Sequence, residues 1–325
     1  MLVRRIACLA VVVALIPAAG GCGGADGSAP AARPVDLSVA LDFVPNAVHA
    51  PLFMAADRGA DARRGLRLRI RQPGEGPDAL KLLAAKRIDV GIIDIHDLGL
   101  ARERGIDVVG IGALVQKPLA ALVGQPGLRR PRDLEGKTVG VSGLPSDPAF
   151  LRAVVEADGG RYAKIRQVTI GFTAVSALLS RKVDAVPVFW NAEGIALRER
   201  GRAVSEFRVE RFGAPVYPEV VFMARRATVR RQPGRLRAFL ATVADGIAAT
   251  RADPERATRL VADAAAAGDT RLVRAQLDAT LPLFSPPVRL DRGILEDWAA
   301  FDARIGLLER RPDVGRAFAF DLAPG

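Results

Sequence analysis

Residues 88–115 are IDVGIIDIHDLGLARERGIDVVGIGALV, a stretch in which two apolar runs flank a helical pattern. Ile88 to Ile93 predicts a buried strand, Asp97 to Arg104 a helix, and Val108 to Val115 a second strand. A strand, a helix and a strand in this order form a βαβ unit. The stretch therefore predicts an α/β protein with a parallel sheet covered by helices.

The same alternation continues in both directions from this unit. Further strands are predicted at Val35–Leu41, Leu66–Ile70, Thr138–Val141, Ile165–Ile170, Val183–Phe189 and Val220–Arg225. Further helices are predicted at Ala50–Arg58, Pro77–Lys86, Pro148–Ala157, Thr173–Leu179 and Ala192–Gly201. The last hundred residues have a helical pattern that Pro254 and Pro282 interrupt. At about 150 residues per domain, a chain of 325 residues predicts two lobes or one large domain.

The composition excludes several classes of protein. Half of the residues are hydrophobic and 26% are charged with mixed sign, which excludes a mainly disordered chain. Two cysteines exclude a disulfide scaffold. The only apolar run of sufficient length lies at the N-terminus, which excludes a membrane protein with several spans.

The N-terminus has the pattern of an export signal over residues 1–21. Arg4 and Arg5 precede an apolar stretch, and Ala18 to Gly21 are small residues before Cys22. Residues 22–34 form a predicted flexible tether, and the arrangement resembles the lipobox of bacterial lipoproteins, with Ala19 in place of the usual Leu. We expect Cys22 to carry a lipid that anchors the protein on the extracytoplasmic face of the cell membrane. The alternative is an ordinary cleaved signal with an incidental cysteine.

The charge of the chain does not indicate a nucleic-acid partner. The formal net charge of +11 becomes +9 when the two arginines of the signal are removed. Basic residues alternate with acids, as in Arg102–Arg104 and Arg198–Arg200, and do not form runs with interleaved aromatics. Cys8 leaves with the signal, so the mature chain has one cysteine and no intramolecular disulfide. The arginines therefore predict a solvated surface.

Four segments at predicted strand ends carry the polar and aromatic groups of a candidate ligand site. In open α/β sheets, ligands bind beyond the carboxyl ends of the strands. The segments are Asp42–His49, Asp94–Asp97, Ser142–Ser146 and Trp190–Glu193. Several of these residues could instead have purely structural roles. Asp42 and Asn46 are typical of turns or caps, Trp190 could pack in the core, and Glu193 is typical of the start of a helix.

Sequence motifs favour binding over catalysis. The chain has no dinucleotide-binding fingerprint, no phosphate-binding loop and no Ser nucleophile in a G-x-S-x-G motif. The only histidines, His49 and His96, lack the spacing of a structural zinc site, so no metal and no cofactor is predicted.

The segment LDFVPNAVHAPLFMAADRG (residues 41–59) resembles the opening motif of the substrate-binding proteins of ABC transporters for thiamine pyrimidine precursors. The wider family contains the yeast-type pyrimidine-precursor synthases and the alkanesulfonate- and nitrate-binding proteins. The resemblance continues, in the order of the family, through PDALKLLAAKRIDVGI, ALVQKPLAAL, DLEGKTVGVSGLPSD and TIGFTAVSALLSRKVDAV to the Trp-Asn-Ala-Glu at residues 190–193.

This resemblance implies a type II periplasmic-binding-protein fold, with two α/β lobes and a hinge of two crossing strands. Lobe 1 is expected to comprise residues 35–118 and 221–325, and lobe 2 residues 119–220. It also implies a binding protein without enzymatic activity, expected to be a monomer, that delivers a heteroaromatic ligand to ABC permease subunits.

The implied site holds an aminopyrimidine between aromatic side chains, with a carboxylate on its ring nitrogen and amino group. By motif match, that carboxylate is Glu193, with Trp190 beside it in the wall. The expected ligand-binding residues are Asp42, Phe43, Asn46, His49, Asp94, Ser142, Pro145, Ser146, Phe172, Trp190, Glu193 and Tyr217.

The chain departs from the family pattern at three places. Phe43 replaces a Trp, Pro51 replaces a Gly, and Ile93-Asp94-Ile95 stands where relatives have Ser-Tyr-Gln. The extra acid Asp94 favours a ligand with an amine or a second donor. The alternatives are an alkanesulfonate or nitrate, which needs cations or helix N-termini at the site, a flavin or another heteroaromatic vitamin precursor, and the synthase reaction, whose cysteine-rich motif this chain lacks.

Overall fold

In the computed structural model, the part of the chain that is described contains ten strands, which form two five-stranded sheets. The strands are β1 (Val35–Ala40), β2 (Leu66–Arg71), β3 (Val90–Asp94), β4 (Val108–Val115), β5 (Ala120–Gly124), β6 (Thr138–Val141), β7 (Arg166–Thr169), β8 (Ala185–Phe189), β9 (Ser205–Arg208) and β10 (Val220–Arg225). The first sheet has the order β2-β1-β3-β10-β4 and the second the order β7-β6-β8-β5-β9. Each sheet is the centre of one α/β lobe.

Helices surround both sheets. They are α1 (Ala50–Asp57), α2 (Ala79–Ala84), α3 (Ile95–Glu103), α4 (Asp147–Ala157), α5 (Ala174–Leu179), α6 (Ile195–Glu199), α7 (Arg226–Arg231), α8 (Pro233–Ala252), α9 (Pro254–Ala264), α10 (Thr270–Thr280), α11 (Arg292–Arg304) and α12 (Val314–Ala317). Six short 3-10 turns occur at Ala47–His49, Ala62–Arg64, Pro131–Leu134, Tyr162–Lys164, Val209–Phe212 and Leu281–Phe284, and a π-helical turn spans Trp190–Gly194.

The structure describes residues 33–74, 78–266 and 268–324. The predicted signal peptide, Cys22 and all but the last two residues of the predicted tether lie outside the described residues. Residues 34–325 form one compact unit. No helix in the described part of the chain is both long enough and apolar enough to cross a membrane.

The predicted parallel sheet is wrong in one respect, because both sheets are mixed. Strands β1, β2 and β3 are parallel, but β10 is antiparallel to β3 and β4. In the second sheet β6, β7 and β8 are parallel, while β5 is antiparallel to β8 and β9. The exceptions are β5 and β10, which enter a sheet after the chain has crossed from the other lobe, and so arrive from the opposite end.

Most other predicted elements are confirmed within a few residues, and β4, β6 and β10 have the predicted bounds. Two strands escaped prediction. The apolar β5 follows β4 after four residues, so the two run together in the sequence, and β9 is a half-buried segment that has no apolar alternation. The helix predicted at Ala192–Gly201 is instead a π-helical turn followed by α6.

Helix α8 covers the first sheet and packs closely on α1. Leu236, Phe239, Leu240 and Val243 of α8 are buried in the same apolar cluster as Leu52 of α1. A Cβ atom at Gly246 would lie 2.0 Å from the carbonyl oxygen of Pro51, so this crossing admits only glycine. Pro51 itself stands in the first turn of α1, where its missing N–H costs nothing.

Two crossings join the lobes, through residues 116–119 and 209–219. The side chain of Glu219 is fully buried between them. Its Oε2 accepts hydrogen bonds from the backbone N–H groups of Leu119 at 2.5 Å and Ala120 at 3.0 Å. One buried carboxylate thus holds the two crossings together.

Candidate functional site

A cavity of about 600 Å³ lies between the carboxyl ends of the strands of both sheets. Its volume is within the range of small-molecule sites. The lining residues come from both lobes: Asp42, Phe43, Gly74, Asp78, Ala79, Leu80, Lys81, Ile92, Ile93, Asp94, His96, Asp97, Leu100, Ala101, Arg104, Ile106, Ala120, Ser142, Gly143, Leu144, Pro145, Ser146, Asp147, Phe150, Phe172, Pro187, Val188, Phe189 and Glu193.

Eight of the twelve predicted ligand-binding residues line this cavity. They are Asp42, Phe43, Asp94, Ser142, Pro145, Ser146, Phe172 and Glu193. They come from five different strand ends or loops, so the fold brings together groups that are up to 151 residues apart in the chain (193 minus 42).

The other four predicted residues stand behind the lining. Asn46 caps the 3-10 turn at Ala47–His49, because its side chain accepts the N–H of Val48. Tyr217 is fully buried, with its ring 4.8 Å from that of His96 and stacked on Phe301. Neither residue is among those that line the cavity, and their contact with a ligand stays a prediction.

Trp190 is not among the lining residues either, and its contact with a ligand stays a prediction. Its indole N–H donates to the carbonyl of Pro118, at 3.3 Å, in the first crossing. The guanidinium of Arg208 lies over the indole ring, 3.9 Å from its centre. Trp190 therefore connects the first crossing with Arg208 of lobe 2. The neighbouring residue Phe189 lines the cavity.

His49 is buried behind the lining residue Asp42. Its Nδ1 accepts the backbone N–H of Asn46 at 3.2 Å, which leaves the proton on Nε2. That nitrogen donates to Asp42 Oδ1 at 2.8 Å. The histidine thus fixes the carboxylate of Asp42 at the edge of the cavity.

Two phenylalanines meet across the cleft. Phe43 follows β1 of lobe 1 and Phe172 follows β7 of lobe 2, and their ring centres are 4.4 Å apart at an angle of 60°. This edge-to-face contact is a favourable aromatic geometry. The pair forms an apolar wall that the substitution of Trp by Phe at position 43 preserves.

Carboxyl groups dominate the polar part of the lining. Six of the lining residues are acidic and two, Lys81 and Arg104, are basic and exposed. Sequence analysis had singled out the segment that contains Asp97 and the loop that ends just before Asp147, but predicted neither acid as a ligand-binding residue. Only their placement beside the cavity identifies them.

Burial raises the pKa of these acids. The pKa of Glu193 is raised to about 7 by burial, against hydrogen bonds from backbone N–H groups, and the charge of Asp42 raises it further. Burial likewise raises the pKa of Asp147 to about 6, although it accepts the N–H groups of Gly143 and Leu144. The pKa of Asp97 is well above its usual range because of burial and the nearby Asp94. A cleft with this electrostatic character favours a ligand that donates hydrogen bonds or carries positive charge.

Asp97 also connects the lobes. Its Oδ1 accepts the backbone N–H of Ser146 at 3.1 Å, and Ser146 precedes α4 of lobe 2. The contacts Asp97–Ser146 and Phe43–Phe172 bring the two lobes together over the cavity. The two lobes therefore touch each other beside the cavity.

Asp94, His96 and Glu219 form the polar floor of the site near the hinge. Their potential metal-ligand atoms all lie within 4.8 Å of one another. Although burial lowers the pKa of His96, the charges of Asp302 and Asp94 raise it to about 10. The chain separation of Glu219 from the other two hid this group from sequence analysis.

The fold and the cleft define the class of the molecule: a two-lobe periplasmic-binding-protein fold with its candidate site between the lobes. The periplasmic aliphatic sulphonate binding protein SsuA of Escherichia coli has the same fold, with a TM-score of 0.69, 16% identity, and coverage of 90% of this chain and 95% of that one. The family model described as NMT1/THI5 like matches residues 46–257, and the chain belongs to this family.

Three relatives differ in their named functions. The formylaminopyrimidine-binding protein of Halalkalibacterium halodurans is 32% identical over 206 residues, which span 62% of each chain. The riboflavin-binding protein RibY of Chloroflexus aurantiacus is 26% identical over 100% of this chain and 99% of its own. A 4-amino-5-hydroxymethyl-2-methylpyrimidine phosphate synthase of Legionella pneumophila is 23% identical over 89% and 92%. The family thus contains both binding proteins and enzymes.

Proposed function

We propose that this chain is the extracytoplasmic solute-binding protein of an ABC importer and that it captures an aminopyrimidine-type thiamine precursor between its lobes. The acidic cavity, lined by Glu193 and by the Phe43–Phe172 pair, is the observation that carries the proposal. A 32% identical relative with a formylaminopyrimidine-binding name supports the same ligand class.

The chemistry of the ligand matches the groups of the cavity. A carboxylate can accept two hydrogen bonds from the ring N–H and the exocyclic amino group of a protonated aminopyrimidine, and such charge-assisted pairs are strong. Glu193, with its pKa of about 7, can also share the proton with a neutral ring nitrogen. The aromatic pair supplies a desolvated face for the ring.

The proposed action is binding and lobe closure, with no bond made or broken. Asp42, Phe43 and Asp94 would contribute from lobe 1, and Ser142, Pro145, Ser146, Phe172 and Glu193 from lobe 2, where lobe 1 is residues 35–118 with 221–325 and lobe 2 is residues 119–220. The permease would recognise the closed form. We propose that the protein acts as a monomer and not as a synthase, since its mature part would hold a single cysteine, at the anchor.

A flavin is the second candidate ligand. The riboflavin-binding relative matches the full length of the chain, and a flavin ring would also use aromatic walls and donors facing the acids. An alkanesulfonate fits poorly, because six acidic residues and two exposed basic ones line the cavity. An anion would be repelled by that charge.

A thermal-shift panel separates these candidates. The purified protein is tested with formylaminopyrimidine, hydroxymethylpyrimidine, thiamine, riboflavin, taurine and nitrate. A ligand that binds only the folded state raises the melting temperature. We expect a shift with the pyrimidines alone. A shift with riboflavin alone would select the second candidate, and a shift with taurine or nitrate would contradict both.

The lipid anchor is proposed separately, at Cys22. Cys22→Ala should move the expressed protein from the membrane fraction to the soluble extracytoplasmic fraction, whereas Ser28→Ala in the same tether should not. A Cys22→Ala protein that stays in the membrane fraction would show that the anchor is elsewhere.

A further inference from the structure

Three side chains with metal-binding atoms converge beneath the cavity, near the hinge. Asp94 ends β3, His96 lies in the first turn of α3, and Glu219 immediately precedes β10. One ligand atom from each lies within 4.8 Å of the other two, close enough for a single ion to contact all three. Asp94 and His96 line the cavity, so an ion between them would be accessible from it.

A fourth residue orients the imidazole. The carboxylate of Asp302, fully buried on α11, lies 2.8–2.9 Å from Nδ1 of His96. The indole nitrogen of Trp298 is farther from the same atom, at 3.3 Å. We therefore assign a proton to Nδ1, which donates a hydrogen bond to the carboxylate. Metal-binding histidines commonly donate one ring N–H to a carboxylate in this way, which directs the other nitrogen to the ion.

Glu219 has one oxygen in use and one without a partner. Its Oε2 accepts two backbone N–H groups of the first crossing, and this fixes the carboxylate. Its Oε1 is fully buried and has no hydrogen-bond partner among the residues that the structure describes. A buried acceptor without a partner is costly, so a bound cation or a shared proton is needed to compensate.

The charges around the imidazole of His96 also favour a bound cation. Two fully buried carboxyl groups, those of Glu219 and Asp302, and the half-buried one of Asp94 surround one histidine. Within the described residues, the other hydrogen bonds to these acids come from backbone N–H groups. No arginine or lysine in this part of the chain pairs with them. Buried carboxylates are normally paired with a cation or bound to a metal, and a single imidazolium at His96 would balance only one of the three acids.

We propose that Asp94, His96 and Glu219 bind one divalent transition-metal ion, with Asp302 as the positioning residue of His96. One imidazole and two carboxylates suit Zn²⁺, Co²⁺ or Mn²⁺ better than Mg²⁺, which prefers oxygen ligands and water. Three protein ligands leave a position open toward the cavity. There a nitrogen or oxygen of the bound solute, or a water, completes the coordination.

The ion would also act on the hinge. Asp94 and His96 belong to lobe 1, whereas Glu219 lies on the second crossing and holds the first. A metal bound to all three fixes both crossings relative to α3. Its binding therefore stiffens the hinge and links metal occupancy to solute binding.

The test is calorimetric titration of the purified, metal-free protein with ZnCl₂, CoCl₂ and MgCl₂ in turn. We expect one Zn²⁺ or Co²⁺ per chain and at least about ten-fold weaker binding of Mg²⁺. Asp94→Asn and Glu219→Gln should each weaken Zn²⁺ binding by at least about ten-fold, and Asp302→Asn by about ten- to hundred-fold. Asp78→Asn, the same charge change at another acid that lines the cavity, is the matched control and should change the affinity less than about two-fold.

Two results would overturn the proposal. Absence of saturable binding below millimolar Zn²⁺ in the folded wild-type protein would mean that Asp94 and Glu219 share a proton instead. An equal loss in Asp78→Asn would mean that Zn²⁺ only responds to the general acidity of the cavity. If a variant fails to fold, the Co²⁺ spectrum of the wild-type protein decides, since a thiolate charge-transfer band would place the ion at a cysteine.

Discussion

The pKa values of acidic residues are shifted in opposite directions on the outer surface and in the cleft. On the surface, hydrogen bonds from Arg161 lower the pKa of Glu135 to about 2, and those from Arg67 and Arg130 lower the pKa of Asp36 and Asp158. In the cleft, burial raises the pKa of Asp147 to about 6 and of Glu193 to about 7. The difference is the arginine partner, which the cleft acids lack within the described residues.

This difference distinguishes solubility from function. The surface acids neutralise neighbouring arginines in water, where ion pairs contribute little to stability. The cleft acids are held out of water without a cation, which destabilises the ligand-free protein and prepares it for a donor-rich or cationic ligand. Perturbed acids in a cavity of about 600 Å³ therefore indicate a binding site more strongly than the net charge of the chain does.

The largest expected effect is on ligand affinity. Glu193→Gln replaces the carboxylate by an amide and should weaken aminopyrimidine binding by about 1.5–3 kcal/mol, or about ten- to hundred-fold in Kd, because a charge-assisted hydrogen bond is lost. Calorimetric titration measures it. The control is Glu135→Gln on the surface, which should leave Kd unchanged. Equal affinity of Glu193→Gln and the wild type would remove Glu193 from the site.

The same variant should gain stability at alkaline pH. The native state keeps the proton of Glu193 up to a pKa of about 7, whereas the unfolded chain loses it near the usual 4.5. The free energy of unfolding therefore falls as the pH rises through this window, and Asp147 adds in the same direction. Since Glu193 is partly accessible, we expect Glu193→Gln to be about 1–2 kcal/mol more stable than the wild type at pH 8 and similar near pH 5. Urea unfolding at both values tests this, and a less stable variant at pH 8 would contradict it.

The aromatic pair of the cleft can be compared with one inside lobe 2. Phe43→Leu and Phe172→Leu should show a coupling of about 0.5–1.5 kcal/mol in ligand affinity, because their contact forms only when the lobes close. The contact of Phe207 with Phe212, 6.4 Å between ring centres, lies within one lobe. The same cycle there should show no coupling in affinity. Additive effects of the two cleft substitutions would mean that the rings do not close on the ligand together.

The smallest effect is expected at a surface ion pair. Glu135→Gln breaks the exposed pair with Arg161 and should change the melting temperature by less than about 2 °C at neutral pH. Differential scanning calorimetry measures this. A drop comparable with that of a core substitution would show that the surface pairs do more than balance charge.

Sequence patterns predicted the strands of both sheets well where an apolar run was bounded by residues that end a strand. β4, β6 and β10 have the predicted bounds, since each is an apolar run between polar or glycine-containing turns. They could not give strand direction, because β5 and β10 have ordinary strand sequences and only the crossings between lobes reverse them. For the same reason β5, four residues after β4, merged with it in the sequence pattern.

The candidate site was predicted in part by position and in part by resemblance. Strand-end loops supplied Asp42, Asp94, Ser142 and Glu193, all of which line the cavity. Trp190 stands in one of the same loops but donates to the hinge, and Tyr217, which lies outside those loops, packs in the core. Whether a side chain faces the cavity or the core depends on a rotation within a turn, which neither spacing nor residue type fixes.

The sequence by itself determined the alternation of strands and helices, the family and the acidic character of the strand-end loops. These follow from local periodicity and from motifs of adjacent residues. Tertiary structure alone decided which acids lose their solvent and which remain on the surface. It also joined Glu219 to Asp94 and His96 across more than a hundred residues of chain. The physical reason is that desolvation and close approach belong to the packed chain: a carboxylate has a raised pKa or an ion-binding partner only after folding removes the water around it.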